Sequence, residues 1–481
     1  MIANSRNILW LSILLIGITI IRAGYFLFST PVNGYANNYD FIRQSSCIGL
    51  WQDYPDRNKR SKNPDHTVSK LRLDGEKDRV LCMQSIDNLI PWAIARLHTH
   101  GDSIDLREIS LLKLFLVCIG ITLFIASKPT TATALVTSTA FFLTYNDIHN
   151  LLYFNTLYLE SSVIFGLFFS TASLAIYLTI SERPGFIPLS LASISIIWLG
   201  LSKQQYMPIA SAISFTIGIT YYLRWQSKLK ASFFILIAAL IPYMYSEMTR
   251  DDLGERRSIN FANKTDTFLW AVLPEATNKQ KALNILGLQD SCASAIGKSW
   301  YSPDIRELDH PCPDVEYLSR LRLIPLFIID PRTFFQPIIK AIEQLPPFYP
   351  PYLAQQEVLE KSPPRTFDKL KWTSLSAALN FLPLTLAVYL ISAIITSPAI
   401  VTIQIIRNKI KAAQGTATPP AIIYTAGGAI SLYSIISSVF GDGYSEVQKH
   451  GVGFLIGASF QLSAIIILIL LSLRKIHPRP H

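Results

Sequence analysis

The residues of this chain best suited to chemistry stand at the ends of long apolar runs. They are Asp40, Asp147, Glu160, Lys203, Asp442, Lys449 and His450. Asp40 lies in NNYDFIRQ, with Arg43 one helical turn further on. A carboxylate there can deprotonate an acceptor hydroxyl or bind a divalent ion, and the arginine can hold a phosphate through paired N–H bonds. Asp147, in TYNDIHN, is a second acid with His149 beside it. Glu160, in LYFNTLYLESS, reads as an acid about one turn inside an otherwise apolar helix, so it should face protein or water rather than lipid. Lys203 sits in the turn LGLSKQQYMP, which also holds Tyr206, where an ammonium would neutralise a donor phosphate. The run FGDGYSEVQKH adds Asp442, glycines that permit a tight backbone, and Lys449-His450 where an anion could dock. Singly, each has a bland reading: Asp40 as a solvated loop acid, Arg22 as a snorkelling cation. Charge at the bilayer centre costs roughly 2.5–3.5 kcal/mol, so a one-sided cluster points to a polar cavity.

The elements that must carry these residues are membrane helices. Half of the 481 residues are hydrophobic, and the mean hydropathy is +0.31, too apolar for a soluble globular chain. The apolar runs predict an all-α polytopic protein with about ten spans, at 8–28, 108–126, 131–147, 156–180, 186–201, 207–223, 231–247, 373–397, 420–439 and 451–472. The first is too long for a cleavable signal and lacks a small-residue cleavage pattern.

Orientation follows from the loop charges. One set of connections carries Arg6, Lys128, Arg183, Arg224, Lys228, Lys230, Arg407, Lys409, Lys411, Arg474, Lys475 and Arg479 against the lone acid Glu182. The positive-inside rule puts that set and both termini in the cytoplasm. The formal charge of +10 is then mostly topogenic, which argues against nucleic-acid binding. Cysteine usage agrees: Cys47, Cys82, Cys292 and Cys312 fall two by two in the large loops assigned outside, and Cys118 lies in a helix. Disulfides Cys47–Cys82 and Cys292–Cys312 are expected in an oxidising compartment. A zinc site would need CxxC or HxxxH spacing, which is absent; four free thiols are the bland alternative.

Both outer segments, 30–104 and 248–371, are long enough to be structured. In the first, SIDNLIPWAIARLH places Ile86, Leu89, Ile90, Ala93, Ile94 and Leu97 on one face of a helix expected to lie along the interface. In the second, Leu345-Pro346-Pro347-Phe348-Tyr349-Pro350-Pro351-Tyr352 cannot be regular helix and suits a lid or interface loop. No internal repeat is visible, which weighs against transporters built from matching halves.

At these residues the chain resembles the bacterial GT-C glycosyltransferases, polytopic enzymes whose sugar donor is a polyprenyl phosphate or diphosphate. The resemblance rests on Asp40 soon after the first helix, Asp147 at the next outer hairpin, the long first and late outer loops, and the patterns YFNTLYLES, LGLSKQQ, LNILGLQDSC and GDGYSEVQKH. It covers the whole chain as a single GT-C-like membrane domain, 1–481. It implies inverting sugar transfer to an acceptor hydroxyl on the periplasmic face of the inner membrane. Asp40 would be the base, with Asp147 and Glu160 the further catalytic acids. Arg43, Lys203, Lys449 and His450 would stabilise the departing lipid phosphate, and Asp442 and Tyr206 would complete the site. The acceptor, whether glycan, lipid or pilin, is left open. The WWDYG pattern of oligosaccharyltransferases is absent, so asparagine-linked transfer is not expected. No nucleotide is needed, since the lipid phosphate is the leaving group; a divalent metal shared by Asp40, Asp147 and Glu160 is left open, because it would do the same electrostatic job as the lysines. The rival classes are a polysaccharide polymerase or ligase, a lipid-linked glycan flippase, and an assembly protein. A flippase should carry polar residues through both halves of the bilayer, and an assembly protein leaves Glu160 unexplained.

Overall fold

The computed structural model describes residues 5–36, 39–52, 66–74, 77–78, 80–250, 253–306, 310–357, 374–380 and 419–476, with isolated positions between 382 and 397. Among these residues, six helices are long and apolar enough to cross a membrane: Leu9–Leu27, Leu106–Ala126, Glu160–Thr179, Lys228–Met248, Pro419–Asp442 and Val452–Leu470. Helices Thr131–Tyr145, Phe186–Ser202 and Met207–Trp225 stand where three further spans were expected. The first two are only 15 and 17 residues long, short of the ~20 a hydrocarbon core requires. The expected span at 373–397 lies mostly outside the described residues, as do Arg407, Lys409, Lys411 and Arg479.

In chain order the helices of the bundle are α1 (Ser5–Leu27), α4 (Leu106–Ala126), α5 (Thr131–Tyr145), α7 (Glu160–Thr179), α8 (Phe186–Ser202), α9 (Met207–Trp225), α10 (Lys228–Met248), α17 (Pro419–Asp442) and α19 (Val452–Ile476). The short helices between them are α2 (Tyr39–Ile48), α3 (Leu89–Ala95), α6 (Ile148–Leu151), α11 (Leu253–Thr265), α12 (Lys279–Leu286), α13 (Pro303–Arg306), α14 (Leu323–Ile329), α15 (Arg332–Gln344), α16 (Leu375–Asn380) and α18 (Val447–His450). The bundle forms around α7, which is buried along almost its whole length. Lipid therefore does not solvate it, and its serines and Gly166 serve close helix contacts: a Cβ at Gly166 would meet the Leu199 backbone at 2.8 Å. The last two spans approach through small residues in the same way. A Cβ added at Gly427 would lie 2.6 Å from the Gly457 carbonyl oxygen. That close crossing sets the hairpin Gly441–Gly451 on the bundle end.

The bundle has two chemically different ends. At one, the Arg224 guanidinium donates to the carbonyls of Tyr177 and Leu178, Arg183 to the Ser227 hydroxyl, and Lys230 to the Pro184 carbonyl. These cations cap helix C-termini and the turns beside them, where carbonyls lack partners. Glu160, Lys203 and Tyr206 stand at the opposite ends of the same helices, where they meet His450 of the hairpin after α17.

The segment after α1 builds strand β1 (Asn33–Ala36), α2 and the three-stranded sheet β2 (Leu50–Trp51), β3 (Lys70–Leu73), β4 (Ser103–Asp105). Asp105 then caps α4 in a capping box with Glu108. Cys47 is bonded to Cys82 and Cys292 to Cys312, with Cα–Cα separations of 4.7 and 4.6 Å. The amphipathic stretch at 85–98 is a 3₁₀ turn followed by α3, and its apolar residues divide between two faces. Ile90 and Ile94 enter the core while Leu89, Trp92 and Leu97 are exposed. The single face expected from the sequence is thus split, because part of the helix packs on α4. Strand β5 (Ala354–Gln356), from the segment that follows α15, pairs antiparallel with β1. The proline-rich run before it crosses the bundle end as an irregular strap, with Tyr349 stacked on His149 at 3.9 Å.

Candidate functional site

A cavity of about 1270 Å³ opens at this polar end. It is walled by α2, the turn after α8, the start of α9, helix α11 and the hairpin after α17. Asp40, Arg43, Lys203, Glu255, Arg256, Asp442, Glu446 and His450 line it, with an aromatic and apolar side built from Met207, Pro208, Tyr245, Tyr433, Ile436 and Phe440.

Asp40 occupies the first turn of α2, where the helix dipole favours a negative charge. One carboxylate oxygen takes a hydrogen bond from Arg43 Nη1 at 2.6 Å, and the other takes one from Lys449 Nζ. Each cation has a second acid: Arg43 Nε donates to Glu255 at 2.7 Å, and Lys449 Nζ to Glu446 at 3.0 Å. Lys449 itself is fully buried, 5.6 Å from the Tyr158 ring centroid. Burial opposes ionisation of Asp40, but Lys449, Arg43 and Lys203 outweigh it and hold the carboxyl well below the usual range. Burial likewise works against the Lys449 ammonium, and Asp40, Glu446 and Glu160 reverse it, raising its pKa well above the ordinary value. Asp40 is therefore a standing carboxylate held between two cations.

A second chain of contacts runs alongside. Lys203 Nζ donates to Glu160 at 3.0 Å and lies 3.2 Å from His450 Nδ1. An ammonium can only donate, so Nδ1 accepts and the ring proton sits on Nε2, which faces Asp442 at 3.3 Å. Asp442, Glu446 and His450 bring potential ligand atoms within 4.8 Å of one another, the one such group among the described residues. A metal at His450 Nε2 would need the opposite tautomer, with an N–H pointing at the lysine. Lys203 thus works against a cation at that triplet.

The hairpin takes this shape for local reasons. Gly443 adopts φ 59°, and a Cβ there would lie 2.5 Å from the Asp266 carbonyl oxygen. Arg320 fastens the end of α17 by donating to the carbonyls of Phe440 and Gly441 at 3.1 and 2.7 Å. Tyr352, from the strap, donates to Glu446 at 3.2 Å.

Set against known proteins, the family described as the YfdI N-terminal transmembrane domain matches residues 2–477. The chain belongs to that family. It is accordingly a multi-pass membrane protein, with the cavity at one end of its bundle. No curated protein and no solved structure shows a significant match.

In this YfdI-family chain, the sequence-predicted residues separate into two groups. Asp40, Arg43, Glu160, Lys203, Tyr206, Asp442, Lys449 and His450 come together. Glu160 is the first residue of α7 rather than one turn inside it. Its oxygen Oε1 accepts a hydrogen bond from Lys203 Nζ at 3.0 Å. Lys449 lies behind the cavity wall, and Tyr206 donates to the His450 carbonyl at 3.3 Å. Asp147 stands apart: it caps α6 and receives the Ser376 backbone N–H and hydroxyl at 2.6 and 2.9 Å. Glu446, Glu255 and Arg256 are cavity groups to which sequence reasoning gave no role. Glu446 had a signal, being i−3 to Lys449 and i−4 to His450; Glu255 had none, because its partner Arg43 is 212 residues away.

Asp266 makes the cavity rim sensitive to pH. It accepts hydrogen bonds from the Trp300 N–H at 2.6 Å and from the Ser445 hydroxyl, joining the subdomain that follows α10 to the hairpin. Burial, aided by nearby Asp442, pushes its pKa to about 7 although these hydrogen bonds oppose the rise. An acid raised on folding binds more protons folded than unfolded, so its contribution to stability falls as pH rises from about 4 to about 7. Asp266→Asn is expected to flatten that decline in a thermal-unfolding series in detergent. An unchanged slope would refute the assignment.

Proposed function

We propose that this chain is a GT-C-type glycosyltransferase that moves a sugar from a polyprenyl-(di)phosphate donor to an acceptor hydroxyl. In this reading it lies in a bacterial inner membrane with both termini cytoplasmic and the cavity facing the periplasm. The observation that carries the proposal is the pairing, within one cavity, of a carboxylate between cations and an aromatic, apolar wall made by membrane helices. A lipid-linked sugar phosphate has the matching parts. Its tail suits the wall of Met207, Pro208, Tyr433 and Ile436, its phosphate suits Arg43, Lys203 and Arg256, and its sugar then reaches Asp40.

The reaction is a single displacement. The acceptor oxygen bonds to the anomeric carbon as the carbon–oxygen bond to the phosphate breaks, inverting the configuration. The acceptor proton passes to Asp40, which can act despite its low basicity because the hydroxyl acidifies as its oxygen bonds to carbon. The cations take up charge that grows on the departing lipid phosphate. When the donor phosphate engages Arg43, Glu255 still balances that guanidinium, so Asp40 is released toward the acceptor without leaving a buried charge unpaired.

Lys203 is the cleanest test of the donor assignment. Lys203→Ala should raise KM for a polyprenyl-phosphate sugar more than it lowers kcat. The single variant also strands the buried Glu160 carboxylate, so the double variant Lys203→Ala/Glu160→Gln should recover thermal stability while KM stays raised. Recovery of normal donor KM in the double variant would remove Lys203 from phosphate binding.

A further inference from the structure

The segment between α10 and α16 carries an apolar face that lies outside the candidate site. Its helix α14 reads LIPLFII, without a charge. Leu321, Ile324 and Ile328 recur at spacings of three and four and point away from the subdomain core, with Leu321 72% and Ile328 75% exposed. Ile329 continues the patch, and Phe335 and Ile339 extend it along one side of α15. A surface meant for water rarely leaves this many large aliphatic side chains together.

The opposite side of the same helix pair shows where it sits. Phe327 of α14 and Phe334 of α15 lie 5.0 and 5.4 Å from the ring of Phe440, and Phe334 stacks on it. Phe440 is two residues from the end of a membrane span, α17. The pair is therefore fastened at the depth where that span leaves the hydrocarbon, the level at which amphipathic helices lie along a bilayer. Arg332, exposed at the start of α15, stands one turn from Phe335, where a guanidinium meets headgroups while its stem covers apolar surface.

We infer that α14 and α15 form a membrane-surface anchor, with Leu321, Ile324, Ile328, Ile329 and Phe335 inserted into the outer lipid interface. The anchor holds the subdomain that carries Asp266, Trp300 and Arg320 in register over the cavity. Bilayer contact thus helps set the geometry of the cavity rim, whatever reaction runs inside.

Nitroxide labels test this on the full chain. With Cys118→Ser and the four bonded cysteines intact, Ile324→Cys, Ile328→Cys and, as a control, Lys279→Cys on α12 are labelled singly. Each is reconstituted in vesicles of phosphatidylethanolamine and phosphatidylglycerol. Labels at 324 and 328 should be relaxed more by oxygen than by a water-soluble nickel chelate, reversing the ratio at 279. Nickel accessibility at 324 and 328 equal to that at 279 would mean a water-exposed face and overturn the anchor. Shielding from both reagents would mean that protein covers the face, a second copy or another segment of this chain, and would overturn it equally.

Discussion

Asp40→Asn is expected to fold and to lose sugar transfer by a factor on the order of 10²–10⁴, the range set by removal of a general base. Folding should survive because neither cation is stranded: Arg43 keeps Glu255, and Lys449 keeps Glu446. The asparagine preserves shape and still accepts from one of them. Transfer from a polyprenyl-linked sugar, scored on the glycans, lipids and pilins of cells with matched protein levels, measures the effect. Donor binding should persist, since Lys203 and Arg43 are untouched. Glu446→Gln is the comparison that gives the result meaning. It shares Lys449 with Asp40 and also lines the cavity. If Asp40→Asn transfers normally and Glu446→Gln does not, the base is Glu446. If both transfer normally, the transferase reading falls.

The largest stability effect is expected away from the cavity, at Lys113. This lysine lies within α4, almost wholly buried, 3.9 Å from the equally buried Asp87. Its ammonium also donates to the Thr156 and Tyr153 carbonyls at 2.7 and 3.4 Å, while Asp87 accepts from the Ser161 and Ser162 hydroxyls. The cluster ties the turn before α3 to α4 and to the start of α7, one residue from Glu160. Lys113→Met leaves a buried carboxylate with only hydroxyl partners, a loss of about 3–5 kcal/mol. Adding Asp87→Asn should restore most of it, because a neutral amide can use the same serines. Thermal unfolding of the four forms in detergent gives the coupling directly. Additive losses would mean that the two charges do not act as a pair.

Much of this molecule was legible along the chain because membranes impose local rules. Apolar runs marked where helices lie, Arg183, Arg224 and Lys230 marked one bundle end, and cysteines two per long connecting segment marked the bonded pairs. Asp40, Lys203 and His450 stood out because charge beside a membrane span demands an account. Lys113 would have stood out on the same rule, but a single lysine did not break the apolarity of its run. The short helices were harder. Thr131–Tyr145 and Phe186–Ser202 fall below the length at which hydropathy alone decides a span, and their placement comes from neighbours.

What the sequence by itself determined is the set of segments and the kind of residue at each helix end, since hydropathy and charge act over a few neighbouring positions. Only the tertiary structure decided which charges meet. Asp40 and Lys449 are 409 residues apart, and Lys203 and His450 are 247 apart, so nothing local couples them. Their meeting follows from the crossing of α17 and α19 at Gly427 and Gly457 and from the packing of α8 and α9 against α7. The same packing turned Asp147 away to hold Ser376 and brought in Glu255 and Glu446. A charged pair is selected by distance through space, and the chain specifies that distance only once its helices are assembled.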